Sequence, residues 1–154
     1  MSLLRTLALA IDVATLKRDA ASKALGAAQQ AEIAAQNQLK QLETYALETD
    51  IRWATQGKVC AVPELMRHHY QFVERLHHAI QMQKDILLQH AVVVENARSV
   101  LMQTEIRVAT LKQVSAKKQA ALTLEQRRRE QKQMDELASV RFSSAGARQF
   151  NGGS

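Results

Sequence analysis

The scarcity of helix breakers constrains this chain more than any other feature. Its 154 residues include 5 glycines and a single proline, and these two residue types are the strongest local punctuation in a sequence. Gly57 and Pro63 bracket the one credible turn. We therefore predict an all-α hairpin over residues 1–142, with a helix at 3–55, a turn at 56–63 and a helix at 64–140, followed by a flexible tail at 143–154.

Composition excludes a thick globular core. Aromatic residues make up 4% of the chain, and 24 of its hydrophobic residues are alanine. Alanine lets two helices approach closely but cannot fill a wide interior. A β-sandwich or barrel is therefore excluded, and an elongated helical protein remains.

A heptad repeat predicts that the two helices form an antiparallel coiled coil. In the first helix the a positions are Leu4, Ile11, Arg18, Leu25, Glu32, Leu39 and Ala46, and the d positions are Leu7, Ala14, Ala21, Ala28, Ala35 and Leu42. In the second, a is Val73, Ile80, Leu87, Val94, Leu101 and Val108, and d is Leu76, Gln83, His90, Ala97, Thr104 and Leu111. Six heptads indicate a coiled coil rather than chance amphipathicity. A short turn makes the helices antiparallel, so small alanines face bulky residues.

The heptad positions also bear on the register of the two helices and on their relative length. The register is open by one heptad, and Glu32 faces either His90 or Gln83. The second helix is longer than the first and overhangs it, because the apolar columns stop close to Lys117. A lone polar helix of this kind needs support from another molecule.

Signatures of enzymatic chemistry are absent from the sequence. No glycine-rich phosphate loop is present, and no two of the five histidines are three or four residues apart, as two metal ligands on one helix face require. The single cysteine, Cys60, has no accompanying acid and base. We predict a protein that is not an enzyme and that has no cofactor, metal site or small-molecule substrate. No apolar stretch approaches membrane-spanning length, and the cytoplasm is the expected location.

Charge suggests an acidic partner. The formal net charge is +6, and an arginine triplet, Arg127, Arg128 and Arg129, lies in the overhanging segment. Acidic residues alternate with these bases and no aromatic residue is interleaved, which argues against nucleic acid as the partner. Met134 and Leu137 give the same segment a narrow apolar edge that could insert into a ring or groove.

Aromatic residues cluster at the other end of the predicted hairpin. Tyr45, Trp53, Tyr70 and Phe72 are four of the six aromatic residues, and all lie near the turn. A candidate binding patch, the aromatic patch, combines two of them with nearby residues of both helices: Gln38, Leu42, Tyr45, Phe72, Leu76 and Ala79. Aromatic residues that only cap the hairpin by packing on each other are the alternative, and both uses are compatible.

Four ordered segments carry a family resemblance. They are Leu25-Gly26, Gln38-Leu39-Lys40-x-Leu42-x-x-Tyr45, Tyr70-x-Phe72-Val73-x-x-Leu76-x-x-Ala79-Ile80 and Gln131-Lys132-x-Met134-Asp135-Glu136-x-Ala138. In these segments, and in length and layout over nearly the whole chain, the sequence resembles the flagellar type III export stalk protein, the FliJ family.

The resemblance implies a hairpin similar to the central stalk of rotary ATPases, with its paired termini in the pore of the hexameric export ATPase. It further implies that the aromatic patch faces the large subunit of the membrane export gate and that Arg127, Arg128, Arg129, Met134 and Leu137 face the ATPase. Export chaperones are a third implied partner, and the expected location is peripheral to the inner membrane at the flagellar base, with a role in flagellum biogenesis and motility. The stalk of a virulence injectisome, a basic coiled coil that binds nucleic acid, and a holdase chaperone are the alternatives.

Overall fold

The computed structural model describes residues 2–56 and 62–151 of the chain. It contains two long helices, α1 (Leu3–Gln56) and α2 (Pro63–Asn151). They run antiparallel and pack against each other as a helical hairpin, which confirms the predicted fold class. Gly57 and Cys60, which belong to the predicted turn, lie outside the described residues. The chain divides into two compact units, one formed by Thr15–Ile106 and one by the residues through Ala14 and from Arg107 onward.

Both helices begin with recognisable start signals. The backbone N–H of Arg5 donates to Oγ of Ser2 over 3.3 Å, so Ser2 caps the first turn of α1. α2 begins at Pro63, and Glu64 lies in its first turn. The proline has no N–H to leave unpaired, and the early carboxylate complements the helix dipole. These local signals favour a helix start at each of the two positions.

The seam of the Thr15–Ile106 unit follows the predicted heptad columns. Each a and d position of this unit is buried or half-buried, and its best-buried members are Ala21, Ala35, Leu39, Leu76, Ile80, Gln83 and Val94. Leu39, Leu76 and Ile80 form its hydrophobic cluster, against which Leu42, Ala46 and Leu87 pack. Small residues on α1 and bulky residues on α2 thus share one thin core, as the sequence predicts.

A buried glutamine fixes the pairing of the two helices in this unit. Gln83 is 7% exposed, and its side-chain Nε2 donates to the backbone carbonyl of Ala35 over 2.9 Å. The sequence offered Glu32 as one possible neighbour of Gln83. The hydrogen bond instead reaches the backbone one helical turn further along α1, because the long amide side chain can reach a carbonyl across the close Ala35 contact.

Replacing Gln83 with glutamate should destabilise the protein in a pH-dependent way. The carboxylate would be buried against a carbonyl oxygen, which raises its pKa in the folded state. At neutral pH we expect a loss of about 2 kcal/mol or more in the free energy of unfolding, recovered as the pH falls and the carboxyl protonates. Urea denaturation at pH 7 and pH 4.5 measures this, with the exposed Gln81→Glu as the control. Equal losses for the two variants at pH 7 would contradict the buried position of Gln83.

The other unit has a shorter seam. Ala14 and Val108 are each 3% exposed, and the half-buried positions around them are Leu4, Leu7, Ala10, Ile11, Leu111 and Ser115. Beyond Ser115, each residue of α2 through Gly146 is exposed. Within this unit α2 therefore continues past its packing partner as a single solvated helix, which agrees with the predicted overhang.

The end of α2 differs from the prediction. A helix ending at 140 and a flexible tail over 143–154 were expected, but α2 continues to Asn151. The one breaker in that stretch is Gly146, which costs a helix only about 1 kcal/mol relative to alanine. Its neighbours are serine, alanine, arginine and glutamine, which do not stop a helix. The glycine pair Gly152 and Gly153 lies outside the described residues.

Candidate partner-binding surfaces

The Thr15–Ile106 unit brings the predicted aromatic patch together. The rings of Tyr45 and Phe72 meet edge to face, with centroids 6.0 Å apart and an interplanar angle of 82°. Their side chains remain 48% and 40% exposed. Such a pair stabilises the helix contact by about 0.5–1.5 kcal/mol beyond simple burial while it leaves ring surface open. Capping and binding are thus compatible uses of the same two rings.

The six predicted patch residues are not equally accessible. Leu76 is 8% exposed and belongs to the hydrophobic cluster, and Leu42 packs against that cluster. Gln38 is exposed and Ala79 is half-buried. The surface that a partner can touch is therefore formed mainly by Gln38, Tyr45 and Phe72, while the two leucines hold the rings in place from below.

A stacked pair next to this patch extends the surface. The indole of Trp53 and the imidazole of His69 lie parallel, with centroids 3.9 Å apart and 6° between the ring planes. A groove of about 360 Å³ runs beside both pairs; it is lined by Tyr45, Thr49, Arg52, Trp53, Gln56, Leu65, His69 and Phe72. Sequence analysis did not include His69 in the candidate patch. Heptad spacing could have predicted this contact. Trp53 follows the a position Ala46 by seven residues and His69 precedes the d position Leu76 by seven, so both residues continue the columns of the seam.

The other unit carries the predicted cationic surface. Arg127, Arg128 and Arg129 are exposed on the part of α2 that lies beyond the seam. Nη2 of Arg129 forms an ion pair with Oε1 of Glu125 over 2.9 Å, one helical turn away. An exposed pair at this spacing contributes only a few tenths of a kcal/mol. The charges thus stabilise the lone helix slightly and stay available to a partner.

An apolar edge follows the arginines along the same helix. Met134 is 67% exposed, Leu137 is 58% exposed and Phe142 is 84% exposed. A shallow depression on one face joins them and is lined by Met134, Leu137, Ala138, Arg141 and Phe142. Phe142 was missed from the sequence, although it lies eight residues after Met134 and so shares its helix face. Met134, Leu137 and Phe142 thus form an exposed apolar edge on the part of α2 that lies beyond the seam.

Metal-ligand clusters and membrane-spanning helices are both absent from the residues that the structure describes. Over the described ranges 2–56 and 62–151, no three His, Cys, Asp or Glu side chains are grouped as a metal site would require. Across the same ranges, neither helix has an apolar stretch with the length and hydropathy that crossing a bilayer demands. What the arrangement offers is exposed aromatic, apolar and cationic side chains on a stiff scaffold.

These features define the class of protein: an antiparallel two-helix coiled coil whose second helix overhangs and whose exposed surfaces suit protein partners. Comparison with family models then gives a match to the flagellar FliJ protein family over residues 4–147. The match covers almost the whole chain, and the protein belongs to the FliJ family. Comparison with curated proteins and with solved structures found no significant match. Family membership makes this a stalk-type protein of the flagellar export apparatus.

Proposed function

We propose that this chain is a non-enzymatic stalk that inserts its carboxy-terminal overhang into the hexameric flagellar export ATPase. By contacting several subunits at once it promotes ring assembly and activity, and it couples the ring to the export gate. In this role it is cytoplasmic, lies peripherally at the inner membrane at the flagellar base, also escorts export chaperones, and is needed for flagellum biogenesis and motility.

One observation carries the ATPase half of the proposal. From Lys117 through Gly146 each residue of α2 is exposed, and isolated polar helices gain little stability from propensity alone. The segment presents arginines at one end and an apolar edge at the other. A pore lined with carboxylates and apolar side chains would satisfy both. No residue of the segment needs to perform chemistry, since hydrolysis stays with the ATPase.

The gate half rests on the aromatic patch. Tyr45 and Phe72 present open ring surface at fixed geometry, and aromatic side chains held rigidly before binding are favoured as hot spots of protein interfaces. The neighbouring groove, with Arg52 at its wall, adds a cationic group. In the proposal the large cytoplasmic subunit of the gate seats on this surface.

Deletion of residues 117–154 tests the ATPase half. We expect the full chain to raise the rate of ATP hydrolysis by the purified export ATPase and to increase the fraction of hexamer in electron micrographs. The shortened chain, which keeps the described seam, should do neither. Circular dichroism should show that it remains helical. Unchanged stimulation and ring formation by the folded, shortened chain would defeat this half of the proposal.

Family membership also bears on the alternative systems. The match is to a flagellar family, which favours the flagellar export apparatus over a virulence injectisome. A motility defect on deletion of the gene, with secretion of virulence effectors unchanged, is the expected phenotype.

A further inference from the structure

The Thr15–Ile106 unit has an uncharged side that the proposed function does not use. In a coiled coil the c and g positions lie together on one side of the seam and the b and e positions on the other. On α1, the c and g positions between Lys17 and Gln38 are all alanine: Ala20, Ala24, Ala27, Ala31 and Ala34. Four of these are exposed and Ala31 is half-buried. The opposite side of α1 carries Ser22, Gln29 and Gln36 at its e positions.

α2 contributes bulky apolar residues to the same side. Its g positions after Ala79 are Ile86, Val93 and Val100, which are 39%, 52% and 50% exposed. From Leu76 to Gln103, the c and g positions carry no charge. The contact of Tyr45 with Phe72, both g residues, places the g columns of the two helices side by side. By contrast, the b and e positions of α2 include Lys84, Glu95 and Arg98. The two sides of this unit are therefore chemically different.

We propose that this uncharged side is a self-association surface on which a second copy of the chain docks. A two-fold axis parallel to the helices sets the alanine column of each copy against the valine and isoleucine column of the other. Small residues then meet bulky ones, as they do within the seam, and the two copies together form a four-helix bundle. No charged side chain of the c and g columns is buried in this arrangement, and no like charges oppose each other there.

The size of the surface is sufficient for a specific dimer. From Ala79 to Val100, α2 extends about 33 Å at 1.5 Å per residue. With two helices side by side, the flat projection covers about 600 Å² per copy, and its corrugated accessible surface is larger. Standard interfaces bury roughly 800 Å² per partner.

Sedimentation equilibrium of the full chain tests the proposal. We expect the weight-average mass to rise with concentration from the 17.2 kDa of one chain toward twice that value. Val93→Lys combined with Ala27→Lys should hold the mass at 17.2 kDa throughout. The matched control, Ala91→Lys combined with Ser22→Lys, adds the same charge to exposed e positions and should dimerise as the unaltered chain does. Circular dichroism should give equal helicity for all three.

Cysteine cross-linking tests the orientation. The two-fold axis sets Val93 of one copy against α1 of the other, level with Ala24, since both residues lie three heptads from the Tyr45–Phe72 contact. In a Cys60→Ser background, mild oxidation of an equimolar mixture of the Val93→Cys chain and the Ala24→Cys chain should therefore give a disulfide-linked dimer on a non-reducing gel. Neither chain alone should do so, and nor should a mixture of the Ala91→Cys and Ala24→Cys chains. An unaltered chain that stays at 17.2 kDa up to about 1 mM would overturn the proposal and leave a helix of another protein as the occupant. Equal behaviour of the lysine variant and its control would overturn it as well.

Discussion

Replacement of Met134 and Leu137 by aspartate should remove most of the stimulation that the chain gives the export ATPase. Both side chains are more than half exposed and lie beyond the seam, so the isolated protein should keep its seam and its melting temperature. Inside the ring these residues would be buried. Two lost apolar side chains and two buried carboxylates should weaken the interaction by about 3 kcal/mol or more, which is at least about a hundredfold in affinity.

A matched variant separates insertion from a general charge effect. Ser139→Asp combined with Ser143→Asp adds the same two charges to the same segment, but on the side of α2 that faces away from Leu137. Titration of each variant against a fixed amount of ATPase, with phosphate release as the readout, should give near-normal stimulation for the serine pair. If both pairs of substitutions weaken stimulation equally, the apolar edge is not the contact and the net charge of the segment is responsible.

The seam could be predicted because its physical cause is written into the sequence. An apolar residue every 3.5 residues on average gives each helix one apolar stripe, and two such stripes are buried against each other. Each predicted a and d position from Leu4 to Leu111 is buried or half-buried in its unit. A long helix with strict periodicity can therefore be predicted without knowledge of its individual side-chain contacts. The overhang followed from the same argument, since the stripe ends where the partner helix ends.

The register of the two helices and their individual side-chain contacts could not be predicted from the heptad positions. Alanine columns accept many offsets against valine and leucine at similar energy, and the bond from Gln83 to the backbone of Ala35 distinguishes among them. A side chain that pairs with a backbone carbonyl leaves no complementary residue type to find in the sequence. The stack of Trp53 on His69 was not predicted for a related reason, because histidine is intermediate in its tendency to be buried and its presence alone does not indicate a packed ring.

The end of α2 shows the limit of composition as a guide. Serine and glycine between Ser143 and Ser154 suggested a tail, yet the helix reaches Asn151. Glycine weakens a helix by a fixed, modest amount, whereas disorder requires the summed preference of a whole segment to fail. Residues 143–148 contain one glycine, Gly146, and two alanines that favour a helix, so the segment as a whole can remain helical. As a result the exposed helical surface available to a partner is longer than the sequence suggested.

Replacement of Phe72 by alanine should weaken binding to the cytoplasmic region of the export gate by about tenfold to a hundredfold, as expected for an aromatic hot spot. The ring is 40% exposed and is held by its edge-to-face contact with Tyr45. The substitution removes both the exposed ring and the support for its neighbour. Stability should fall by about 2–4 kcal/mol, because the aromatic-pair contribution of about 0.5–1.5 kcal/mol is lost together with the burial of the covered part of the ring. Calorimetric titration with the purified gate region measures the affinity.

Tyr70→Ala is the appropriate control for this experiment. It removes an aromatic ring of similar size, 65% exposed, two residues away on a different side of α2. Its gate affinity should stay within about twofold of the unaltered chain, since an exposed residue outside an interface carries little binding energy. Leu76→Ala would be uninformative here, because Leu76 belongs to the buried cluster and its loss would weaken folding and binding together. Normal gate binding by a folded Phe72→Ala variant would remove the aromatic patch from the gate contact, and it would leave the ATPase half of the proposal intact because that half depends on the other unit.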